Sequence, residues 1–468
     1  MFTIIALILL ALAWAMNKPK LKWFSGALLV VSLLSQCIAY TYGPYAALQA
    51  TKLKQSEAIA HVERGIAYQN KGELDKAIAA YNLALTYDRK VAAAYANRGS
   101  ARHEQGDLAG AVSDYDQAIA LDPKMANAYK GRGLARYAQG DLIGAISDYD
   151  RVIVLEPQMP KNYFFRGLAR YDQGDLAGAI ADYDQTIALD PKMAEAYNSR
   201  GLARYDQGDL AGAISDYDQA IALAITLDPV MAVAYYNRGD ARYDQGDLAG
   251  AIRDYDQAIA LDPTDATAYN NRALVRYDQG DLTRAISDFD QAVALDPTDA
   301  TTFNNRARAR ADQGDLTGAI SDYGEAIALD PTDAIAYVNR GGVRYDQGGL
   351  TGAISDFDEA IALDPKMVLA YIGRGLARYL QGDLTGAITD FDQAIVLDPK
   401  LAGAYLWQGR ARYDQGDLMG AITDFDQACQ FAHATAPLIC GNAAPLLLRD
   451  APSKSRRLCS NTAPLLTA

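Results

Sequence analysis

Apolar and small residues return along most of this chain at the spacing of α-helices. Between residues 126 and 159, Tyr129, Gly133 and Leu134 recur at helical spacing before Gly140 interrupts the run. A second helical run then follows, carried by Leu142, Ala145, Ile146, Tyr149 and Ile153. The pattern therefore predicts a hairpin of two helices joined at the glycine.

This hairpin pattern occurs eleven times, and a turn glycine is its most regular feature. Nine of the ten steps between these glycines are 34 residues long, and the step from Gly208 to Gly246 is 38. The eleven glycines, placed at position 15 of each repeat, are Gly72, Gly106, Gly140, Gly174, Gly208, Gly246, Gly280, Gly314, Gly348, Gly382 and Gly416. A single hairpin cannot bury its apolar face alone, so the period predicts one solenoid of stacked units.

The longer step comes from four extra residues, 224–227, in repeat 5. Four residues advance a helix by about 1.1 turns, which nearly preserves its apolar face. We therefore expect the second helix of repeat 5 to be longer and the array to continue without a domain break.

Acidic residues and prolines mark the expected helix ends. Asp141 precedes the second helix of its repeat, where its carboxylate is expected to cap the first turn. Asp122 and Pro123 precede the first helix, and we expect them to supply a capping acid and an initial proline.

The repeat resembles the tetratricopeptide repeat, which has an aromatic residue at position 4, small residues at 8 and 20, an aromatic at 24 and proline at 32. Position 20 is alanine in every unit, from Ala77 to Ala421, and position 24 is always Tyr or Phe. Positions 4 and 8 are filled by Tyr95, Tyr129, Tyr163 and Tyr197, and by Gly99, Gly133, Gly167 and Gly201. Over residues 58–435 the resemblance implies an all-α fold, a right-handed α-solenoid superhelix with a concave groove lined by the first helices.

Arginine at positions 7 and 11 departs from the family pattern in repeats 2 to 10, as in Arg132 with Arg136 and Arg272 with Arg276. Each of these repeats also has Asp at position 23, such as Asp148. The opposite charges recur in step, so we favour a repeated structural Arg–Asp bridge with the aliphatic stems covering the hairpin core. A binding site for an acidic ligand is the alternative.

The negative net charge and the lack of metal-binding and catalytic motifs in the sequence argue against several classes of function. The chain has a net charge of −14, and residues 1–57 and the tail after Thr435 contribute +4 and +3, which leaves −21 on the repeats. Clustered basic residues are absent, so no nucleic-acid partner is expected. Acid pairs such as Asp172 and Asp175 lack the ligand spacing of an EF-hand, and the three histidines are scattered. We expect no metal, no cofactor and no enzymatic activity.

Residues 1–43 form a hydrophobic segment that we interpret as an anchor or an export signal, with 44–57 as a linker. Residues 1–16 are uncharged, three lysines follow at 18, 20 and 22, and 23–50 is again uncharged. Three hypotheses remain open: two membrane helices, a single anchor within 23–43, or a cleavable signal that starts at Met16. Because lysines stay cytoplasmic, all three place the repeats extracytoplasmically, either membrane-anchored or, after cleavage, periplasmic or secreted. A buried core helix is the alternative.

The tail, residues 436–468, has no helical period and repeats Ala-Pro-Leu from Ala436, Ala444 and Ala463. We expect it to be disordered. In an oxidising compartment, two of Cys429, Cys440 and Cys459 would pair, and the sequence does not decide which two.

Differences between the repeats locate the candidate binding surface on the first helices. Second helices hardly vary, whereas positions 5 and 6 of the first helices change from repeat to repeat. An amide at position 6 offers a donor and an acceptor to an extended peptide backbone, much as asparagines hold a bound chain in the similar arrays of O-linked N-acetylglucosamine transferase. The candidate partner-binding residues are Asn97, Lys130, Phe164, Asn198, Tyr236, Asn237, Asn270, Asn271, Asn304, Asn305 and Asn339. We expect these side chains to lie on an open face and to support no core.

We therefore interpret the chain as a non-catalytic scaffold for protein–protein interaction, binding an extended partner segment in the groove of an exported, membrane-associated solenoid. Its partner would be a protein or peptide of unknown identity, and the membrane would be reached through the N-terminal segment. The alternative is a structural solenoid of the cell envelope that self-associates end to end. A concentration series in size-exclusion chromatography separates the two.

A reporter fused after Thr435 tests the predicted topology. If Lys18, Lys20 and Lys22 remain inside, a reporter that is active only outside the cytoplasm should be active there. Activity of a cytoplasm-only reporter at the same position would contradict export.

Overall fold

The computed structural model describes residues 23–224 and 229–431, although most side chains of 23–44 and that of Pro229 are not among the described groups. The N-terminal residues 1–22, the four residues 225–228 and the tail from 432 onward lie outside this description. The predictions made for the first apolar stretch, for Cys440 and Cys459, and for the tail therefore remain predictions.

Within the described residues the fold is all-α, with 22 helices and no strands, as the sequence predicted. The contacts divide the chain into two compact units, Met1–Leu223 and Ala224–Ala468. In the first unit the helices are α1 (Trp23–Gln69), α2 (Leu74–Tyr87), α3 (Ala92–Gln105), α4 (Leu108–Leu121), α5 (Ala126–Ala138), α6 (Leu142–Leu155), α7 (Pro160–Asp172), α8 (Leu176–Leu189), α9 (Ala194–Asp206) and α10 (Leu210–Leu223).

The second unit has the same alternation of first and second helices. Its helices are α11 (Pro229–Asp244), α12 (Leu248–Leu261), α13 (Ala266–Asp278), α14 (Leu282–Leu295), α15 (Ala300–Gln313), α16 (Leu316–Leu329), α17 (Ala334–Asp346), α18 (Leu350–Leu363), α19 (Val368–Gln381), α20 (Leu384–Leu397), α21 (Ala402–Gln415) and α22 (Leu418–Phe431). Odd-numbered helices are the first helices of the repeats, and even-numbered helices are the second.

The four extra residues of repeat 5 do not lengthen its second helix, so that prediction was wrong. Helix α10 ends at Leu223, the same repeat position at which α8 ends at Leu189, and Ala224 is in a bend. The boundary between the two compact units falls at this point, and the continuity of the array across it stays a prediction. Of the four inserted residues only Ala224 is among those that the structure describes, and it lies outside the helix.

The expected linker 44–57 is helical, because α1 runs without interruption from Trp23 into repeat 1 and ends at Gln69. This segment contains no glycine or proline after Pro44, so nothing in its sequence ends the helix. No helix in the described part of the chain is both long and apolar enough to cross a bilayer.

The turn glycines and the second-helix caps follow the sequence prediction. All eleven glycines have φ between 74° and 95°, a region that side-chain-bearing residues rarely adopt. In repeat 3 the Asp141 carboxylate accepts a hydrogen bond of 2.9 Å from the Gly144 backbone N–H, and equivalent aspartates cap other second helices.

The Asp-Pro pairs do not cap the first helices as expected. Asp122 is instead the C-cap of α4, and its carboxylate accepts from the Lys124 backbone N–H at 3.0 Å. Helix α5 begins three residues after Pro123, at Ala126. The acid therefore stabilises the turn between repeats, because its side chain reaches the amide two residues on.

In several repeats buried charge joins the first helix to two second helices, as repeat 7 illustrates. The Arg272 guanidinium donates to both oxygens of Asp288 in its own repeat, at 2.9 and 2.6 Å. Its remaining nitrogen donates to Asp256 in the preceding repeat at 2.6 Å, and Arg276 donates to Asp288 at 2.5 Å. We call this set of bonds, from positions 7 and 11 to Asp at 23 and to the preceding Asp at 25, the ionic rung.

The rung is largely closed to water. Only 5% of the Asp288 side chain and 13% of the Arg272 side chain are exposed, whereas Asp256 exposes 44%. Burial disfavours the charged guanidinium, but the bonds to Asp288 and Asp256 outweigh it and raise the pKa of Arg272. The Arg272 guanidinium also lies 5.3 Å from the centre of the Tyr269 ring. These bonds confirm the structural interpretation of the Arg–Asp pattern.

The same Arg–Asp contact within one repeat recurs from repeat 2 to repeat 10. The position 7 and 23 pairs are Arg98–Asp114, Arg132–Asp148, Arg166–Asp182, Arg200–Asp216, Arg238–Asp254, Arg272–Asp288, Arg306–Asp322, Arg340–Asp356 and Arg374–Asp390. The contact with the preceding repeat is made by Arg132, Arg166, Arg200, Arg272, Arg306 and Arg374.

Glycine replaces the preceding aspartate at one rung, which provides a test. A Cβ at Gly324 would lie 3.9 Å from Nη1 of Arg340, with nothing closer, so an acidic side chain fits there. We expect Gly324→Asp to stabilise the protein over Gly324→Asn by about 0.5–1 kcal/mol in urea unfolding, because both residues have similar helix propensity and only one is charged. The difference should shrink in 1 M salt; equal urea midpoints for the two variants would refute this role.

The last described rung lacks its first arginine, because repeat 11 has Gln408 at position 7. Asp424 is held by Arg412 at 2.8 Å, and burial raises the pKa of Asp424 to about 6. Burial also raises the pKa of Asp390 in repeat 10, where Arg374 and Arg378 oppose the shift. Since the folded-state pKa of Asp424 lies above its unfolded value, its contribution to stability is present below about pH 4 and is lost as the pH rises through about 6.

Supplying the missing guanidinium should remove this pH dependence. We expect Gln408→Arg to raise the melting temperature more at pH 7 than at pH 4, because only ionised Asp424 benefits from a second cation. Asp424→Asn is the matched control, since it removes the titrating group and should also flatten the profile. An equal gain from Gln408→Arg at both pH values would show that Asp424 is not the group responsible.

Candidate protein-binding face

Positions 5, 6, 9 and 13 of the first helices share one side of each helix, and we call this surface the first-helix face. All the candidate residues of positions 5 and 6 are half-buried, neither fully exposed nor in the core. The sequence analysis expected an open face whose side chains support no core. Several of these side chains instead contact neighbouring repeats.

In the second compact unit, amides of the first-helix face bond to neighbouring repeats. Nδ2 of Asn271 donates to the Tyr236 hydroxyl at 2.9 Å and to the Asp240 carboxylate at 3.0 Å. Tyr255 donates to the same carboxylate from the second helix of repeat 6. Asn271 thus joins repeat 7 to two side chains of repeat 6, Tyr236 and Asp240.

The next pair of repeats is joined in the same way. Oδ1 of Asn270 accepts from Nδ2 of Asn305 at 3.2 Å and from the Thr302 hydroxyl at 3.3 Å, while Asn270 itself donates to Asn271 at 3.1 Å. Position 5 of one repeat therefore meets position 6 of the next, 35 residues later. Oδ1 of Asn304 is buried and accepts no hydrogen bond from the described residues.

The first compact unit uses the same register with different chemistry. Nζ of Lys130 lies 5.6 Å from the centre of the Phe165 ring, again position 5 against position 6 of the next repeat. Phe164 packs against Phe165 and against Tyr183 of its own repeat, with ring centres 6.0 and 5.9 Å apart. Asn97 and Asn198 occupy the equivalent half-buried positions in repeats 2 and 5.

Burial changes the pKa values of two neighbouring groups on this face, Asp240 and Tyr236. Burial raises the pKa of Asp240, although the bonds from Tyr255 and Asn271 oppose this shift. Burial and the neighbouring Asp240 charge also raise the pKa of Tyr236. Tyr236 therefore stays neutral near pH 7, with its hydroxyl accepting from Asn271 and able to donate in turn.

A second series of contacts, between position 12 and position 13 of the next repeat, was missed by the sequence analysis. The Tyr137 hydroxyl donates to Asp172, and Tyr379 donates to Asp414 at 2.5 Å. The same bond joins Tyr171 to Asp206, Tyr243 to Asp278 and Tyr277 to Asp312. The signal was present in these five pairs as a Tyr and an Asp 35 residues apart.

These bonds also account for the acid pairs that suggested calcium. Asp172 accepts from Tyr137, and Asp175 caps α8 through the Gly178 backbone N–H. The described residues contain no group of His, Cys, Asp or Glu side chains arranged to hold a metal ion.

Comparison with known proteins identifies the repeat. Two sequence models match this chain: one described as the TPR repeat, over residues 99–140 and, in overlapping matches, 167–416, and one described as the tetratricopeptide repeat, over 58–91. Together they cover more than half of the chain. No curated protein matches significantly.

Several solved structures are similar to this chain. They include yeast Tom70 (18% identity, 85% of this chain and 96% of that chain, TM-score 0.37) and MamA (29%, 35% and 96%, TM-score 0.34). A tetratricopeptide repeat protein from Parabacteroides merdae is 19% identical over 55% of this chain and 98% of its own, with a TM-score of 0.42.

The bonds of Asn271 predict that this candidate binding residue also stabilises the fold. We expect Asn271→Ala to cost about 1–3 kcal/mol in urea unfolding, since it leaves the half-buried Asp240 carboxylate without one of its donors. Thr267→Ala, at an exposed position on the same helix, should change stability by less than about 0.5 kcal/mol. If the two variants unfold at the same urea concentration, the amide does not link the repeats.

Proposed function

This chain belongs to the tetratricopeptide repeat family, and we propose that its first-helix face binds an extended segment of a partner protein. The family assignment supports a protein-interaction scaffold, a fold that is typically non-catalytic. The finer proposal, binding along the first-helix face, rests on the chemistry of that face.

The observation that carries the proposal is the contrast between the two helices of each repeat. Second-helix side chains at positions 23 and 24 are buried and nearly invariant, as in Asp288 and Phe289. Positions 5 and 6 of the first helices remain half-buried and differ between repeats. The fold therefore tolerates change on the first-helix face, where different side chains can select a partner.

Amides and hydroxyls on this face suit a peptide backbone. Asn270, Asn271 and Asn305 already hold one another in place, so their remaining donors and acceptors are fixed in position before a partner binds. Preorganised groups lose less conformational entropy on binding. The repeats carry a net charge of −21, which favours a neutral or basic segment over nucleic acid.

Export and membrane association are also part of the proposal. They are supported by the sequence alone, through the uncharged stretches on either side of Lys18, Lys20 and Lys22. The reporter fusion after Thr435 tests this part independently of partner binding.

Replacing Asn339 tests the binding face. Asn271 and Asn305 are kept because they join repeats, which separates binding from stability. If the amide of Asn339 bonds to a partner, Asn339→Ala should weaken binding of a partner captured from native membranes by about fivefold. The measurement is a titration of that partner, with melting curves on the same samples.

Val154→Ala with Val396→Ala is the control, since both side chains are about 70% exposed on second helices. This pair should leave partner affinity unchanged. Unchanged affinity in the asparagine variant, or equal weakening in the control, would place the binding site elsewhere.

A further inference from the structure

The first-helix face changes from polar to apolar in repeat 10. Position 2 lies on the same side of the helix as positions 5, 9 and 13. On α19 these four positions are Leu369, Ile372, Leu376 and Leu380, and at 100° per residue they fall within an arc of about 80°. Leu369 and Leu380 expose 69% and 55% of their surface. The same positions of α13 are Thr267, Asn270, Leu274 and Asp278.

Neighbouring first helices extend this surface. Ile335 on α17 is 57% exposed and Trp407 on α21 is 37% exposed, while Val338 and Leu406 are half-buried beside them. We call Ile335, Val338, Leu369, Ile372, Leu376, Leu380, Leu406 and Trp407 the apolar patch. Contiguous exposed apolar surface of this kind marks a docking site.

We propose that the tail of the same chain, residues 436–468, docks on the apolar patch. This inference rests on the proposed function, since the tail would occupy part of the face that binds an extended segment. The tail carries three Ala-Pro-Leu motifs, two of them followed by further leucines, as at Leu446, Leu447 and Leu448. These side chains match the chemistry of the patch.

The path of the chain brings the tail to this surface. The Phe431 ring, at the end of α22, lies 5.7 Å from the Tyr405 ring in the first turn of α21. The chain therefore leaves the last described helix next to the first turn of α21. From Phe431 to Leu446 it can span about 50 Å, whereas packed helices are about 10 Å apart, so α19 is within reach.

Charge favours the tail over a second copy of the array. The tail carries Arg449, Lys454, Arg456 and Arg457 against one acid, Asp450. Asp346, at position 13 of the repeat before α19, is exposed beside the patch. Asp414, at the same position of the repeat after α19, is paired with Arg410 at 3.2 Å. A second array would bring further negative charge to the same place, which is unfavourable. Docked in this way, the tail competes with a partner for the C-terminal end of the first-helix face.

Photo-crosslinking in the full-length chain tests the proposal without any partner. Leu380 is replaced by p-benzoylphenylalanine, and an equal mixture of ¹⁴N- and ¹⁵N-labelled protein is irradiated and analysed by mass spectrometry. We expect crosslinks from position 380 to peptides of 436–468 within chains of the same isotope. The same photoreactive residue at Val396, 70% exposed on the second helix of that repeat, should give none.

A patch variant adds a second readout. Leu369→Asp should reduce the yield of the tail crosslink at least fivefold while leaving the melting temperature nearly unchanged, because Leu369 is exposed. Crosslinks between isotopes would identify a second copy as the occupant, and the absence of tail peptides at position 380 would also overturn the proposal. Either of these two results would overturn docking of the tail. Neither bears on partner binding by the asparagines, which a separate titration measures.

Discussion

The buried Arg–Asp rung is the interaction on which the repeat array depends. A carboxylate at position 23, nearly closed to water, is tolerated only because two guanidinium groups surround it, as Arg272 and Arg276 surround Asp288. One of these arginines also reaches the preceding repeat. Where this second bond forms, the rung therefore links the two helices of one hairpin to the second helix of the preceding hairpin.

This arrangement explains why the repeats vary where they do. Charges at positions 7, 11 and 23 must change together, since removal of one leaves an uncompensated buried ion. The aromatic ring at position 24 is similarly constrained: a Cβ at Gly133 would lie 3.0 Å from the Tyr149 ring. Position 5 of one repeat meets position 6 of the next through side-chain contacts of several kinds, so pairs as different as Lys130–Phe165 and Asn270–Asn305 fit the same register.

Much of the fold could be predicted from periodicity, whereas the details of the face could not. The hairpins, the turn glycines and the Asp141 cap follow from local spacing and backbone geometry. The role of Asp122 was misjudged because an Asp before a proline can close one helix or open the next, and the local sequence does not decide between them. The 35-residue register of Asn270 with Asn305 depends on how repeats stack, which spacing within one helix does not reveal.

A double-mutant cycle on Arg272 and Asp256 tests most directly whether the rung holds neighbouring repeats together. Arg272→Met, Asp256→Asn and the double variant would be compared with the parent protein by urea unfolding. If the rung joins the repeats, the two substitutions should show a coupling energy of about 1 kcal/mol, because the pair is partly buried and spans two repeats. Strictly additive effects would contradict the account.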